Sequence, residues 1–366
     1  MADPSSDPTE ALEACRRTID EADRQIVELL NRRAAAAVEI GKLKDASGSP
    51  MYVPDRERRV MNKVHDLNRG PLPRAAIEAV YREIISASIA MERPLKVGFL
   101  GPEGSFSHLA ARAHFGASVE YRGVDDIQHV FEDVDRGVID VGLVPIENST
   151  GGGVHDTLDC FMQSSAGVCA EVLISIHHHL MSHADVERVQ RVCSRPEVFE
   201  QCRKWLAAHL PQAERVPVAS SAKAAELASA DHALAAVGSG LAAELHALPI
   251  RAQNIEDNPQ NVTRFFVVSR ITARPTGHDK TAIMFTTAHK PGALAEVVNV
   301  FARHGVNLTH IDKRPSQRIN WEYYFFIDCE GHHEEPAMQD ALAEARDHCL
   351  HLSVLGSFPK ATDVLG

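Results

Sequence analysis

The sequence contains no apolar run approaching the ~18 to 20 residues that a membrane span requires, so no spanning helix is expected. It also lacks a basic tract. Its 38 Lys and Arg are scattered among 50 Asp and Glu, a formal charge of −12, which argues against nucleic acid as a partner. The cysteines Cys15, Cys160, Cys169, Cys193, Cys202, Cys329 and Cys349 are odd in number and form no CxxC pair. That pattern argues against both a disulfide framework and a zinc ribbon, and the thiols read as reduced and structural. Met1 to Pro8 is acidic and rich in Pro and Ser where a secretory leader would be basic and then apolar, so the expected location is the cytoplasm. What is present is an ordinary folded composition, 44% hydrophobic and 24% charged over 366 residues. That length accommodates roughly two to four domains. The densest histidine cluster is His177, His178 and His179 followed by His183. Successive strand residues point to alternate faces, so no metal site is expected there.

Three segments follow three different periods. From Glu10 to Lys44, apolar Leu12, Cys15, Ile19, Ala22, Ile26, Leu29, Leu30 and Ile40 recur at spacings that mark one face of a long helix. A loop with Gly48, Pro50 and Pro54 leads to a second helix, Asp55 to Asn68, and punctuation at Gly70, Pro71 and Pro73 to a third, Arg74 to Glu92. Two short helices cannot cover so long an apolar face, so pairing with a second chain's long helix is expected. From Pro94 the style changes. A strand at Leu95 to Leu100 runs through GPEG into a helix capped by Ser105 or Ser107. Further strands (Val138 to Val144, Val168 to Ile176, Val189 to Cys193, Leu234 to Val237, Arg264 to Val268) then alternate with helices (Asp126 to Arg136, Val198 to His209, Ala222 to Ser229, Gly240 to His246). This predicts parallel α/β architecture, long enough for two lobes and a cleft. After a linker at Thr272 to Asp279 come a strand Lys280 to Thr287, a helix ending at Gly305, strands Val306 to Asp312 and Trp321 to Cys329, a helix Pro336 to His348 and a strand His351 to Leu355. The order β-α-β-β-α-β is the ferredoxin-like α+β layout.

Candidate chemistry follows these elements. Arg33 and Lys44, eleven positions apart on one helix, point within about 20° of each other and sit roughly 16 Å apart, a gap suited to a small dianion. Arg16 lies about 25 Å further up the helix, within reach of a partner's pocket rather than its own. Arg56, Glu57 and Arg58 open the second helix, and Ser88 and Glu92 share a face of the third. The segments GPEGSFSHLAA, PIENSTGGGV and ASSAKAAELA each pair small polar residues with a helix start, a pattern suited to anions, and NVTRF places Thr263 and Arg264 at the entrance to an apolar strand.

The stretches CRRTIDEADRQIVELLNRR, VEIGKLK and PDRERRV resemble the all-helical chorismate mutase family. That resemblance implies that Arg16, Arg33, Lys44, Arg56, Glu57, Ser88 and Glu92 hold chorismate during a Claisen rearrangement to prephenate, which needs no nucleophile. Val53 stands where an Asp is common and Glu92 where many relatives carry Gln. A carboxylate donates a hydrogen bond only when protonated, so this step is expected to speed up as pH falls. GPEGSFS, VPIENSTGG, SRPEVFEQC and NVTRF are similar to the prephenate dehydratase family, a pair of α/β lobes of periplasmic-binding-protein type. The resemblance implies Thr263 as proton donor or relay and Arg264 as carboxylate anchor. It implies that Glu147, Asn148, Ser149, Thr150, Ser194, Gln201, Ser220, Ser221, Asn261 and Phe265 bind substrate, with Glu147 open as a partner in proton transfer. Arg195 replaces a common His, and Ala219 a Glu found in some relatives.

The C-terminal segment resembles the ACT domain, with Gly292, Ala293 and Leu294 as its GAL element and DKRP (Asp312 to Pro315) where relatives show ESRP. This implies feedback by phenylalanine through Gly292, Ala293, Leu294, Asp312 and Arg314. The whole implies a chain of three units: 1–94 (helical), 95–272 (two-lobed) and 279–366 (ACT). Neither a cofactor nor a metal is called for, no nucleic acid or membrane is expected as a partner, and a homodimer through the helical and ACT units is expected, with a tetramer left open. Two alternatives remain at this point. The first segment could serve only for dimerisation, or the lobes could bind a carboxylate or amino acid without turnover.

Overall fold

The computed structural model describes residues 8–47, 50, 52–316 and 322–366. Of the residues named above, Met1–Asp7, Gly48 and Trp321 lie outside these. The first segment forms helices α1 (Pro8–Ser47), α2 (Pro54–Leu67) and α3 (Arg74–Glu92). The periodicity fixes α1 because no Gly or Pro breaks it before Gly41. At Gly41 a side chain would meet the backbone of α3: a Cβ there would lie 2.9 Å from Glu92 Cα. This close approach sets Lys44 beside Glu92. Further toward the N-terminus α1 has no cover among the described residues, and Leu12, Ile19, Ile26 and Leu29 are all more than half exposed.

Lobe one holds a mixed sheet in the order Val364–Leu365, Gly167–Ser175, Val262–Ser269, Val141–Asn148, Lys96–Leu100 and Glu120–Val124, with Gly152–Gly153 paired to Val141–Asn148. Lobe two holds Ile250–Ala252, His179–Met181, Leu234–Gly238, Arg191–Ser194 and Glu214–Pro217. Where parallel α/β architecture was expected, both sheets are mixed, with parallel and antiparallel pairs. The chain leaves lobe one after Gly167–Ser175, builds lobe two, and returns as Val262–Ser269, antiparallel to both neighbours. A returning crossing of two lobes reverses direction, which a strand-by-strand reading does not register. The expected helix Val198–His209 is two short helices, Pro196–Gln201 and Arg203–His209, divided at Cys202. Helix α4 (Phe106–Phe115) begins where Ser105 Oγ accepts from His108 N at 3.2 Å.

The C-terminal unit has the expected order: strand Asp279–Thr286, helix Ala293–Arg303, strands Leu308–Pro315 and Tyr323–Glu330, helix Pro336–Asp347 and strand His351–Pro359. Its antiparallel sheet has Asp279–Thr286 between Tyr323–Glu330 and His351–Pro359, with Leu308–Pro315 at the edge. Gly305, at φ 71°, ends the first helix. Beyond the expectation, Val364–Leu365 leaves this unit and adds in parallel to lobe one. The two units meet backbone to backbone at Gly167, where a Cβ would lie 2.6 Å from Leu355 O, and at Gly356 against Val168. Around that crossing Phe266 and Val268 of lobe one share a core with Ala282, Met284, Phe326 and Phe358.

Candidate active sites

The α1–α3 bundle encloses a cavity of about 440 Å3 lined by Arg33, Lys44, Val53, Arg56, Glu57, Ser88 and Glu92 among others. Six of the seven expected residues therefore converge. Arg33 Nη1 donates to Ser88 Oγ, and Ser88 Oγ to Ile84 O at 2.7 Å, the usual return bond of a helical serine. Lys44 Nζ lies 2.7 Å from Glu92 Oε2. Burial pushes the Glu57 carboxyl up to about 8, an effect that Lys44 opposes, so this side chain is neutral at pH 7. Glu57 is thus a group whose protonation bears on the cavity. Arg16 stands apart: it is exposed and paired with Glu13 at 2.7 Å, on the uncovered stretch of α1.

In lobe one, Asn148 Nδ2 donates to Thr263 Oγ1 at 2.7 Å and to Asn261 Oδ1 at 2.8 Å. Asn148 Oδ1 accepts from the backbone N–H of Thr150 at 3.0 Å and of Gly151 at 2.8 Å. Ser149 Oγ accepts from Val262 N at 3.0 Å. These bonds draw Asn148, Ser149, Thr150, Asn261 and Thr263 into one cluster. A β-bulge makes it possible. The register steps from Arg264↔Glu147 to Phe265↔Pro145, so Ile146 and Glu147 together face one residue of the partner strand. Simple alternation would put Asn148 on the side of buried Val144 and Ile146; the extra residue turns it to the side of Thr263.

The same geometry corrects several expectations. Arg264 faces away from Thr263 because neighbours on a strand point oppositely. Its guanidinium is buried between Glu171, at 2.8 Å, and Asp328 of the C-terminal unit, so it is occupied as an interdomain ion and not available to anchor substrate. Glu147 points the same way, with His310 Nδ1 at 3.4 Å, which removes it from proton transfer at Thr263. Phe265 is packed in the core with Phe99 and Tyr52 and does not line the cleft. Ser194 is fully buried and donates to Val237 O at 2.7 Å, a bond internal to the second sheet.

Ser220 caps the helix Ser221–Ala230 by accepting from Lys223 N at 2.9 Å, and Ser221 is buried beneath that cap. The lobes touch where Ser239 Oγ donates to Gly104 O at 2.7 Å and where Gly104 sits against Ala222 and Ala242. Gln201 Oε1 meets His178 Nε2 at 2.8 Å. His178 was given no role from the sequence. It lies edge-on to Phe106 across the lobes at 5.2 Å, and burial holds it below its usual value and hence neutral. Its Nδ1 is buried with no hydrogen-bond partner among the described residues. The histidine run was the available signal, but its members separate: His177 pairs with Glu256 at 2.7 Å, and His179 Nδ1 accepts from Asn254 N at 3.3 Å. Among the described residues no group of three His, Cys, Asp or Glu is arranged to hold a metal ion.

In the C-terminal unit Gly292, at φ 81°, precedes the helix that opens with buried Ala293 and half-buried Leu294. Asp312 and Arg314 do not stand free for a ligand. Arg314 forks onto Asp159 of lobe one at 2.7 and 2.6 Å, and the Asp312 carboxylate lies against Gly153.

Three family models match this chain in order: chorismate mutase type II over residues 15–93, prephenate dehydratase over 97–273 and the ACT domain over 281–347. The bifunctional chorismate mutase/prephenate dehydratase of Aquifex aeolicus is 43% identical over 357 residues, 96% of this chain and 99% of that protein. The corresponding protein of Stutzerimonas stutzeri is 42% identical, over 96% of this chain and 98% of its own. The crystal structure of the prephenate dehydratase from Arthrobacter aurescens in complex with L-Phe superposes with a TM-score of 0.68 at 34% identity, over 73% of this chain and 90% of that one. With both catalytic units and the regulatory unit matched over nearly its full length, this chain belongs to the bifunctional chorismate mutase/prephenate dehydratase family that ends in an ACT domain.

Proposed function

We propose that chorismate rearranges in the α1–α3 cavity and that the resulting prephenate loses water and CO2 at the Asn148–Thr263 cluster, in working units 1–94 and 95–272. Unit 279–366 lends its final strand to the second. In the first site Arg33 and Arg56 fork onto the two carboxylates, and Lys44 donates to the ether oxygen where charge develops. Neutral Glu57 offers a donor without adding repulsion toward a dianion. Arg16 reaches this site from a second copy, whose α1 covers exposed Ile19 and Ile26.

In the second site Thr263 Oγ1 accepts from Asn148, which leaves the threonine proton directed outward for the departing hydroxyl. The ring carboxylate leaves as CO2, its bonding electrons enter the ring, the hydroxyl protonated by Thr263 leaves as water, and Thr263 regains its proton from solvent. The Asn148–Thr263 hydrogen bond is the observation that carries this reading. Phenylalanine, bound by the C-terminal unit near Gly292, Ala293 and Leu294, restrains the second step. The test adds chorismate to the purified chain and follows its loss and phenylpyruvate formation separately. Both should proceed without added cofactor. Turnover of added prephenate with chorismate left untouched would make the helical segment only a dimerising arm.

A further inference from the structure

Cross-strand partners Glu147 and Arg264 sit immediately beside cross-strand partners Asn148 and Thr263, on the opposite face of lobe one. In the C-terminal sheet His310 and Asp328 are likewise cross-strand partners. The two pairs confront each other, the His310 imidazole against Glu147 at 3.4 Å and Asp328 against Arg264 as an ion pair. The strand carrying His310 continues the contact, since residues two apart share a face: Asp312 lies against Gly153 and Arg314 grips Asp159. Three successive inward residues of one regulatory strand therefore touch lobe one from Glu147 to Asp159, the segment that contains Asn148, Ser149 and Thr150.

We propose that this interface is a coupling joint, in which His310, Asp312, Arg314 and Asp328 position Asn148 and Thr263 and pass the state of the C-terminal unit to the dehydratase site. Arg264 is then a positioning residue, acting through the backbone it shares with Thr263. Its charge is buried and its other partner, Glu171, is shared with Lys280, so removing Asp328's charge leaves it under-compensated and displaces the strand. The regulatory half of the proposal rests on phenylalanine binding as read above; the positioning half does not.

The test uses the full chain with Asp328→Asn and, because that buried change could disturb folding, with His310→Gln at the less buried pair. Each should lower dehydratase kcat about tenfold or more with KM for prephenate nearly unchanged, as expected for lost positioning. The mutase rate should hold. Arg264→Gln combined with Asp328→Asn should recover part of the loss, because no unpaired charge remains in the contact with the C-terminal sheet. By equilibrium dialysis, phenylalanine should still bind both single variants while inhibiting them far less than the parent. Wild-type kcat and inhibition in both variants, or strict additivity in the double variant, would overturn the joint. Absence of saturable phenylalanine binding to the parent would overturn only the regulatory half, and the kcat comparison would still decide the other.

Discussion

Asn148 donates to Thr263 Oγ1 at 2.7 Å and is itself fixed by two backbone N–H groups, so the threonine oxygen is held as an acceptor and its proton is left to be given up. Thr263→Ala removes that proton and should cut dehydratase kcat by roughly 10²- to 10⁴-fold, whereas Thr263→Ser should retain most of it, measured as phenylpyruvate formation from prephenate. In the other site the titrating residue is Glu57, whose carboxyl is raised to about 8 chiefly by burial. Below that pH it is neutral; above it a carboxylate faces a dianionic substrate. The mutase rate should therefore fall as pH rises through about 8, and Glu57→Gln should flatten that limb; an unchanged profile in the variant would reject the assignment. The stability sign agrees. A folded-state value above the ordinary one means that the neutral form's contribution is present at low pH and fades as pH climbs through it.

Element geometry decides which residues reach these sites. Gly41 lets α1 approach α3 closely enough for Lys44 to meet Glu92, and a methyl group there would have to push against helix backbone 2.9 Å away. Gly41→Ala should lower mutase activity about 10- to 100-fold, since a shift near 1 Å at a positioned group costs that much. Dehydratase activity measured on the same sample should be unaffected. The three helices were legible because helical periodicity is a local signal, and Arg33 and Lys44 face one another as their spacing suggested; that Arg56, Glu57, Ser88 and Glu92 join them was implied by the family resemblance. The orientation of Arg264 and Glu147 was not. It depends on a one-residue bulge and on a second sheet contributing Asp328 and His310 from far along the chain, and neither leaves a local trace. For the same reason the strand Val364–Leu365 went unseen: two residues carry no readable period.

At the scale of the molecule, three units are locked around lobe one. Tyr52 of the helical unit is buried with its hydroxyl 3.0 Å from His114 of α4, Arg58 donates to Thr362, and the C-terminal sheet crosses at Gly167 and Gly356. Unit order was legible from the change of period at Pro94 and the linker at Thr272 to Asp279; the packing between units was not, because it joins residues hundreds of positions apart. The uncovered face of α1 is the exception to this closure. Ile19→Asp with Ile26→Asp should remove most mutase activity by keeping a second copy's α1 off this face, while prephenate turnover continues.

One assay bears most directly on two chemically separate sites in one chain: chorismate is supplied to the Thr263→Ala variant while chorismate, prephenate and phenylpyruvate are all followed. The expected result is chorismate loss at the parent rate, accumulation of prephenate and almost no phenylpyruvate. Phenylpyruvate formed at the parent rate, or chorismate left unconsumed by a folded variant, would contradict it.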